Sequence, residues 1–291
     1  MKKIVSLSLA ALALAALAAP VYAQKYEASI RGDVGAIGNQ VIFDSPLVDS
    51  DRNEWNWDFT ARLAMYTSCR PCSTYVALSW QGATNTNHSR GDITFANRLS
   101  VKNEFSKTKL GMGLDVFKNN CLKFTMEVGG NYLVAKLDTD REIAAPFSSI
   151  GSSHSKTEGA GLYSSIKGSY KLPSSCFLGN AFSVYGKAEV ADIIGRQSYH
   201  YDRLNEPEIA LNSRYNNIVE VDIEAAVVYS PCFKCWDNMN MSVAFGVRTD
   251  SFVNLFRHVD AVDPNPSLVG NHVSLLSLTK PSLFLELSMK M

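Results

Sequence analysis

The sequence predicts an all-β fold, an antiparallel transmembrane β-barrel of about ten strands, with eight or twelve as the neighbouring possibilities. Three observations carry this. Segments of about ten to fifteen residues alternate apolar and polar from one end of the chain to the other, as strands between two different environments do. The connections between them alternate short and long. The chain opens with an export leader and closes on a strand that runs to its final residue.

The leader comes first. Lys2 and Lys3 precede an apolar run from Ile4 to Ala19, and Ala19-Pro20-Val21-Tyr22-Ala23 places small residues where a signal peptidase reads. Residues 1–23 therefore form a Sec-type secretory signal, and 24–291 form the barrel domain. No later stretch approaches the roughly 18 consecutive apolar residues of a membrane helix. A mature chain that crosses a membrane must then do so as a closed sheet, since only helices and closed barrels pair every backbone group in lipid. Without Lys2 and Lys3 the 28 basic residues fall to 26 against 28 acidic ones, a net charge of −2 that gives no reason to expect nucleic acid.

The strands follow in order. Tyr26, Ala28, Ile30, Gly32 and Val34 alternate with Lys25, Glu27, Ser29, Arg31 and Asp33, a set too charged for an ordinary core. Trp55, Trp57, Phe59, Ala61, Leu63 and Met65 alternate with Asn56, Asp58, Thr60, Arg62 and Ala64, and Val76, Leu78 and Trp80 return. In 93–117 the phase flips. Ile93, Phe95, Leu99 and Val101 keep one phase while Leu110, Met112, Leu114 and Val116 keep the other. This predicts a bulge near Glu104 to Thr108, or a separate short element. Regular alternation resumes over 122–134, 162–170, 182–190, 219–227 and 241–250. The closing strand puts Leu283, Leu285, Leu287, Met289 and Met291 on one face and Phe284, Glu286, Ser288 and Lys290 on the other.

Expected long connections are 38–53, 84–93, 136–156, 195–214 and 253–273; short ones are 67–73, 118–121, 172–180 and 230–238. Short periplasmic turns and longer external loops are the outer-membrane arrangement. Trp55, Trp57 and Trp80 near one set of strand ends, and Tyr170, Tyr229 and Trp236 near the other, suit two interfacial girdles.

All six cysteines fall in the short turns: Cys69 and Cys72, Cys121, Cys176, and Cys232 and Cys235. In an oxidising compartment they are disulfide candidates, within a barrel or between neighbouring barrels. Six cysteines allow fifteen pairings, and the sequence does not choose among them. A zinc site from the two Cys-x-x-Cys pairs is the less favoured reading, and no metal or cofactor is expected.

The run Trp55-Asn-Trp57-Asp-Phe59, Tyr66, Pro71-Cys72-Ser-Thr-Tyr75-Val-Ala-Leu78-Ser-Trp80 resembles an element of the pore-forming major outer-membrane proteins of the Legionella and Chlamydiae type. The runs from Gly159 to Ala188, and from Val221 through Pro231-Cys232 to Arg248, are similar to it as well. The resemblance covers most of 50–253, and the Pro-Cys turns are its distinctive part. The chain departs from that family in its shorter length and in ending on Met291 rather than an aromatic. Membership would imply a cysteine-containing porin open to disulfide cross-linking.

A water-filled barrel needs inward polar side chains and no catalytic geometry. The candidate pore-lining residues are Arg31, Arg62, Lys102, Lys109, Glu127, Lys167, Lys187, Glu189, Glu220, Asp222, Glu224, Arg248, Glu286 and Lys290. Glu220, Asp222 and Glu224 form the densest stack, with Lys187 and Arg248 as the natural counter-charges. These residues serve equally as a charged wall or as an ion-pair network filling a narrow lumen. A barrel enzyme would need a histidine held by a carboxylate; His200 with Asp202, or His258 with Asp260, offer that only in loops, and no nucleophile is placed. The acidic clusters Asp44/Asp49/Asp51 and Asp138/Asp140 lack calcium-loop spacing. The expected protein is a non-enzymatic outer-membrane porin passing ions and small hydrophilic solutes. Its expected partners are outer-membrane lipid and, where disulfides join them, neighbouring barrels. The alternative is a sealed structural or adhesive barrel that displays its external loops.

Overall fold

The computed structural model describes residues 25–36, 55–68, 73–90, 98–143, 149–172, 182–203, 209–231, 240–259 and 273–291. Within them run ten strands: β1 (Lys25–Ala36), β2 (Trp55–Ser68), β3 (Ser73–Arg90), β4 (Arg98–Lys118), β5 (Leu122–Ile143), β6 (Ser149–Lys171), β7 (Phe182–Arg203), β8 (Ile209–Tyr229), β9 (Asn240–Val259) and β10 (Val273–Lys290). Each pairs antiparallel with its chain neighbours, and β1 pairs with β10, so the sheet closes on itself. Closure is made along Glu27↔Lys290 to Gly35↔Ser282. It is locked where Tyr26 and Met291 exchange backbone hydrogen bonds of 3.0 and 2.9 Å. The last strand is thus used to its final residue. The rim that holds Lys25 and Met291 also holds the short turns; it is the near rim, and the opposite one the far rim.

The period-two alternation decides which side chains face out. Ile30, Trp57, Leu110, Met112, Met126, Val128, Leu162, Ile223, Phe245, Leu285 and Leu287 are all exposed on the outer wall. Together they form a continuous apolar belt, against the rule that soluble monomers rarely show large contiguous apolar patches. The residues between them face in, buried over the middle and far part of the barrel and partly exposed near the termini.

Two expectations are corrected. The strands are longer than the alternation suggests, because β5 runs to Ile143, β7 to Arg203 and β9 to Val259, through stretches expected as loops. Beyond the belt the outer wall turns polar while the lumen turns apolar, so the greasy-out pattern fades although the pairing continues. Nor is there a bulge between Glu104 and Thr108. Pairing of β3 with β4 is unbroken there, and the β4 irregularity lies between Asp115 and Phe117. The apparent phase flip has the same cause: Phe105 faces into the barrel, whereas Leu110 and Met112 face out of it. The leader, five of the six cysteines, Asp44, Asp49, Asp51 and Trp236 lie outside the described residues.

Candidate functional site: the barrel lumen

Every sequence-predicted lining residue except Lys102 lies on the inward-facing phase. Lys102 sits on the outer wall beyond the belt, where its Nζ is 2.8 Å from Glu104. Its neighbours Asn103 and Phe105 are the inward ones. The Glu104 carboxyl is held below its ordinary range, first by the hydrogen bond from Lys102 and then, against the cost of burial, by Lys136 at 3.2 Å.

The lumen is filled in layers. Nearest the termini is a cup that solvent still reaches. Lys290 lies 3.7 Å from Glu27, which also accepts the Tyr66 hydroxyl at 2.9 Å. Lys123 lies 2.9 Å from Asp115. Lys167 stacks its ammonium 3.8 Å from the Tyr185 ring, and Ser288 donates to Glu286 at 3.1 Å. The Glu127 carboxylate closes the cup's far side, accepting from Arg62 at 2.8 Å, Tyr75 at 2.7 Å and Tyr163 at 2.6 Å.

Above the cup lies a largely buried ion-pair layer. Arg248 grips Asp222 with two bonds of 2.8 and 2.9 Å, and reaches Asp250 at 3.1 Å and Gln81 at 3.2 Å. Arg31 bonds Asp33 at 2.7 and 2.8 Å and Glu224 at 2.9 Å. Its guanidinium also covers the Phe284 ring at 3.7 Å. Lys107 pairs with Glu220, Lys109 with Glu189, and Lys280 with Asp58. Lys187 bonds Glu189 at 3.0 Å, and Asn131 donates to Glu220 at 3.0 Å. The stack of carboxylates on β8 is thus answered cation by cation from β1, β4, β7 and β9. Glu220 and Asp222 are 0% and 1% exposed, so both are shielded from bulk solvent.

Beyond the charges comes an apolar layer. Phe105, Leu133, Ala135, Leu137, Ala191, Ile193, Ile218, Phe252, Leu255, Phe256 and Leu278 are all buried in one cluster inside the barrel. Phe105 and Phe252 meet edge to face at 5.4 Å. This layer, and the ion-pair members Asp33, Asp58, Lys107, Asp250 and Lys280, were missed by sequence reasoning. The acids were legible from their phase. Lys107 was hidden by the supposed bulge, and the apolar layer breaks the polar-in rule outright.

No family model matches this sequence. No curated protein matches it either. Among solved structures it is similar to the translocator domain of the autotransporter NalP from Neisseria meningitidis, at 9% identity and TM-score 0.47, over 99% of this chain and 95% of that one. The outer membrane protease OmpT from Escherichia coli follows at 9% identity and TM-score 0.44, over 92% and 96%. A major outer membrane protein from Thermus thermophilus follows at 10% identity and TM-score 0.37, over 90% and 99%.

The remaining candidates fall outside the lumen. Among the described residues His154, on the outer wall, meets a carboxylate, with Nδ1 3.0 Å from Asp138 and its ring stacked on His200 at 6.2 Å. Among the described residues no group of three His, Cys, Asp or Glu could hold a metal ion. Cys121 is exposed in the turn between β4 and β5 and unpaired among the described residues, while the other five disulfide candidates lie outside them. That turn is closed by Asn119, whose side chain accepts from the Cys121 and Leu122 amides at 2.9 and 2.6 Å.

Proposed function

We propose that this chain is an outer-membrane barrel closed to water, whose work lies in its wall and far rim rather than in passage through its lumen. A continuous apolar belt around a closed sheet supports the membrane setting, since lipid is the solvent that such a surface needs. The export leader supports the outer membrane, and the cysteine-bearing turns fit the family that the sequence resembles. One observation carries the closed reading: the buried ion-pair layer is followed by the apolar layer, so a solute crossing the barrel meets two barriers in series. A dehydrated apolar constriction bars ions more effectively than paired charges do, because it offers them nothing in place of their water.

The porin reading keeps one observation in its favour. The near half is an open, charged cup, and a shift of the far layer would turn it into a pore vestibule. Planar-bilayer recording separates the two. Folded protein that gives no discrete conductance steps at high salt supports the closed barrel. Steady, reproducible steps would establish the porin instead.

A further inference from the structure

The barrel wall has a seam. Pairing of β8 with β9 runs from Tyr229↔Val243 to Val219↔Val253 and stops. Both strands continue, β8 back to Ile209 and β9 on to Val259. Here β9 parts from β8 while keeping its pairing with β10, from Phe256↔Leu276 to Val259↔Val273. Asn254 has φ of 62°, a left-handed conformation that asparagine tolerates better than other side chains. The β9–β10 register shifts at the same height, between Leu276 and Leu278.

Past that kink the backbone of β9 lies inside the lumen. The carbonyl of Leu255 accepts from Thr157 of β6 and, at 3.1 Å, from Gln197 of β7. Gln197 also donates to the Asn254 carbonyl at 2.6 Å. A wall strand cannot take such bonds from inward side chains two and three strands away. Leu255 and Phe256 are therefore both buried although adjacent in sequence.

We propose that this seam is the mouth of a lateral binding site for a single-chain anionic amphiphile, with its chain in the apolar layer and its head at Arg214. Three features give the chemistry. The seam begins at Val219 and Val253, where the outer apolar belt ends, so an acyl chain arrives there from lipid without crossing water. Directly inside are Ile193, Ile218, Phe252 and Leu255, the apolar layer itself. The lip is polar: Asn254 reaches the Asn217 carbonyl at 3.5 Å, Asn216 donates to Gln197 at 2.6 Å, and Arg214, opposite Gln197 in the ladder, is exposed. A guanidinium beside amide groups suits a carboxylate or phosphate head. The site is occupied at rest by the inward-leaning end of β9, which must swing about Asn254 together with the β10 residues paired to it to admit a chain. Water exclusion and amphiphile binding are compatible, because the same apolar side chains serve both.

The test uses the folded full-length mature protein in detergent, with folding verified by heat-modifiable gel mobility. An 11-(dansylamino)undecanoate probe is titrated and then displaced with dodecanoate, dodecyl phosphate or dodecanol. Saturable binding is expected, with displacement by both anions at least tenfold more effective than by the neutral alcohol. A preference between carboxylate and phosphate identifies which head the site takes. Arg214→Ala, an exposed change, is expected to erase the anion advantage, worth about 1.4 kcal/mol for tenfold, while keeping the alcohol's potency. Ile218→Trp is expected to block the probe by filling its chain site. Non-saturable partitioning into the folded wild type overturns the proposal. So does anion preference that survives Arg214→Ala.

Discussion

Replacing Arg248 by Met tests whether the lumen is the dry, paired interior described above. Arg248 makes two bonds to Asp222 at 2.8 and 2.9 Å and one to Asp250 at 3.1 Å. It is 6% exposed, and its partners are 1% and 2% exposed. Methionine fills much of the same volume, so the cavity contribution is small. The main cost is two carboxylates left without their principal cation. Removing one member of a buried pair typically costs about 3–5 kcal/mol. Lys187 at 3.7 Å from Asp222 and Lys107 at 3.5 Å from Asp250 offset part of that, which places the expectation near the lower end. Arg248→Lys keeps the charge but loses the two-pronged grip, and should cost about 1–3 kcal/mol. Arg248→Met combined with Asp222→Leu should recover most of the loss, since the stranded charge goes too. The assay is reversible urea unfolding in lipid vesicles, followed by tryptophan fluorescence. A loss under about 1 kcal/mol for Arg248→Met, the range of solvated ion pairs, would show that water screens these groups and would refute the sealed lumen.

Phe252→Ala removes a fully buried phenylalanine from the apolar layer and should cost about 3–5 kcal/mol in the same assay. Leu285→Arg places a charge on the outer belt and should cost about 2–4 kcal/mol in vesicles, far more than in a mild detergent whose micelle deforms around it. Glu104→Gln should change stability by less than about 1 kcal/mol, because its partners Lys102 and Lys136 are solvated. Glu104 is lowered by its Lys102 hydrogen bond, so its contribution is present above the unfolded carboxyl value. It fades as pH falls through the lower folded value, a trend read by comparing wild type and Glu104→Gln across acidic pH.

The barrel was legible because its wall obeys one rule over the belt: lipid-side residues greasy, lumen-side residues polar. Where the rule holds, as in Leu122 to Val134 or Leu283 to Met291, strand, facing and inward residues all follow from the sequence. The rule fails beyond the belt. Leu133, Ala135 and Leu137 continue β5 on the inward phase, while Lys136 and Asp138 take the outward one, and a reader expecting greasy-out sees the strand end. The pairing partners of the charges were beyond reach for a different reason. Arg31 and Glu224 are 193 residues apart, and only closure of β1 on β10 brings them to 2.9 Å. Lys102 was misplaced because the phase was lost on β4, where Lys107 of the ion-pair layer gives way to Phe105 of the apolar one.

The order of the layers decides which of them insulates the barrel. An ion entering from the near cup first meets paired charges of both signs. Such groups can rearrange around an intruder, since Lys187 already lies within 3.7 Å of both Asp222 and Glu224 besides its bond to Glu189. The apolar layer cannot respond. Moving an unpaired ion into such a medium costs on the order of 20 kcal/mol in the idealised limit, and still several kcal/mol after relaxation. On the closed-barrel proposal the ion-pair layer holds the strands together and the apolar layer blocks conduction. This separates two phenotypes that a single plug would join. Arg248→Met should yield a less stable barrel that still carries no current. Phe252→Ser with Leu255→Ser should admit ions, because it wets the apolar layer while the charges below stay paired. Steps from the first variant, or an insulating second variant that remains folded, would reverse the assignment of the two layers.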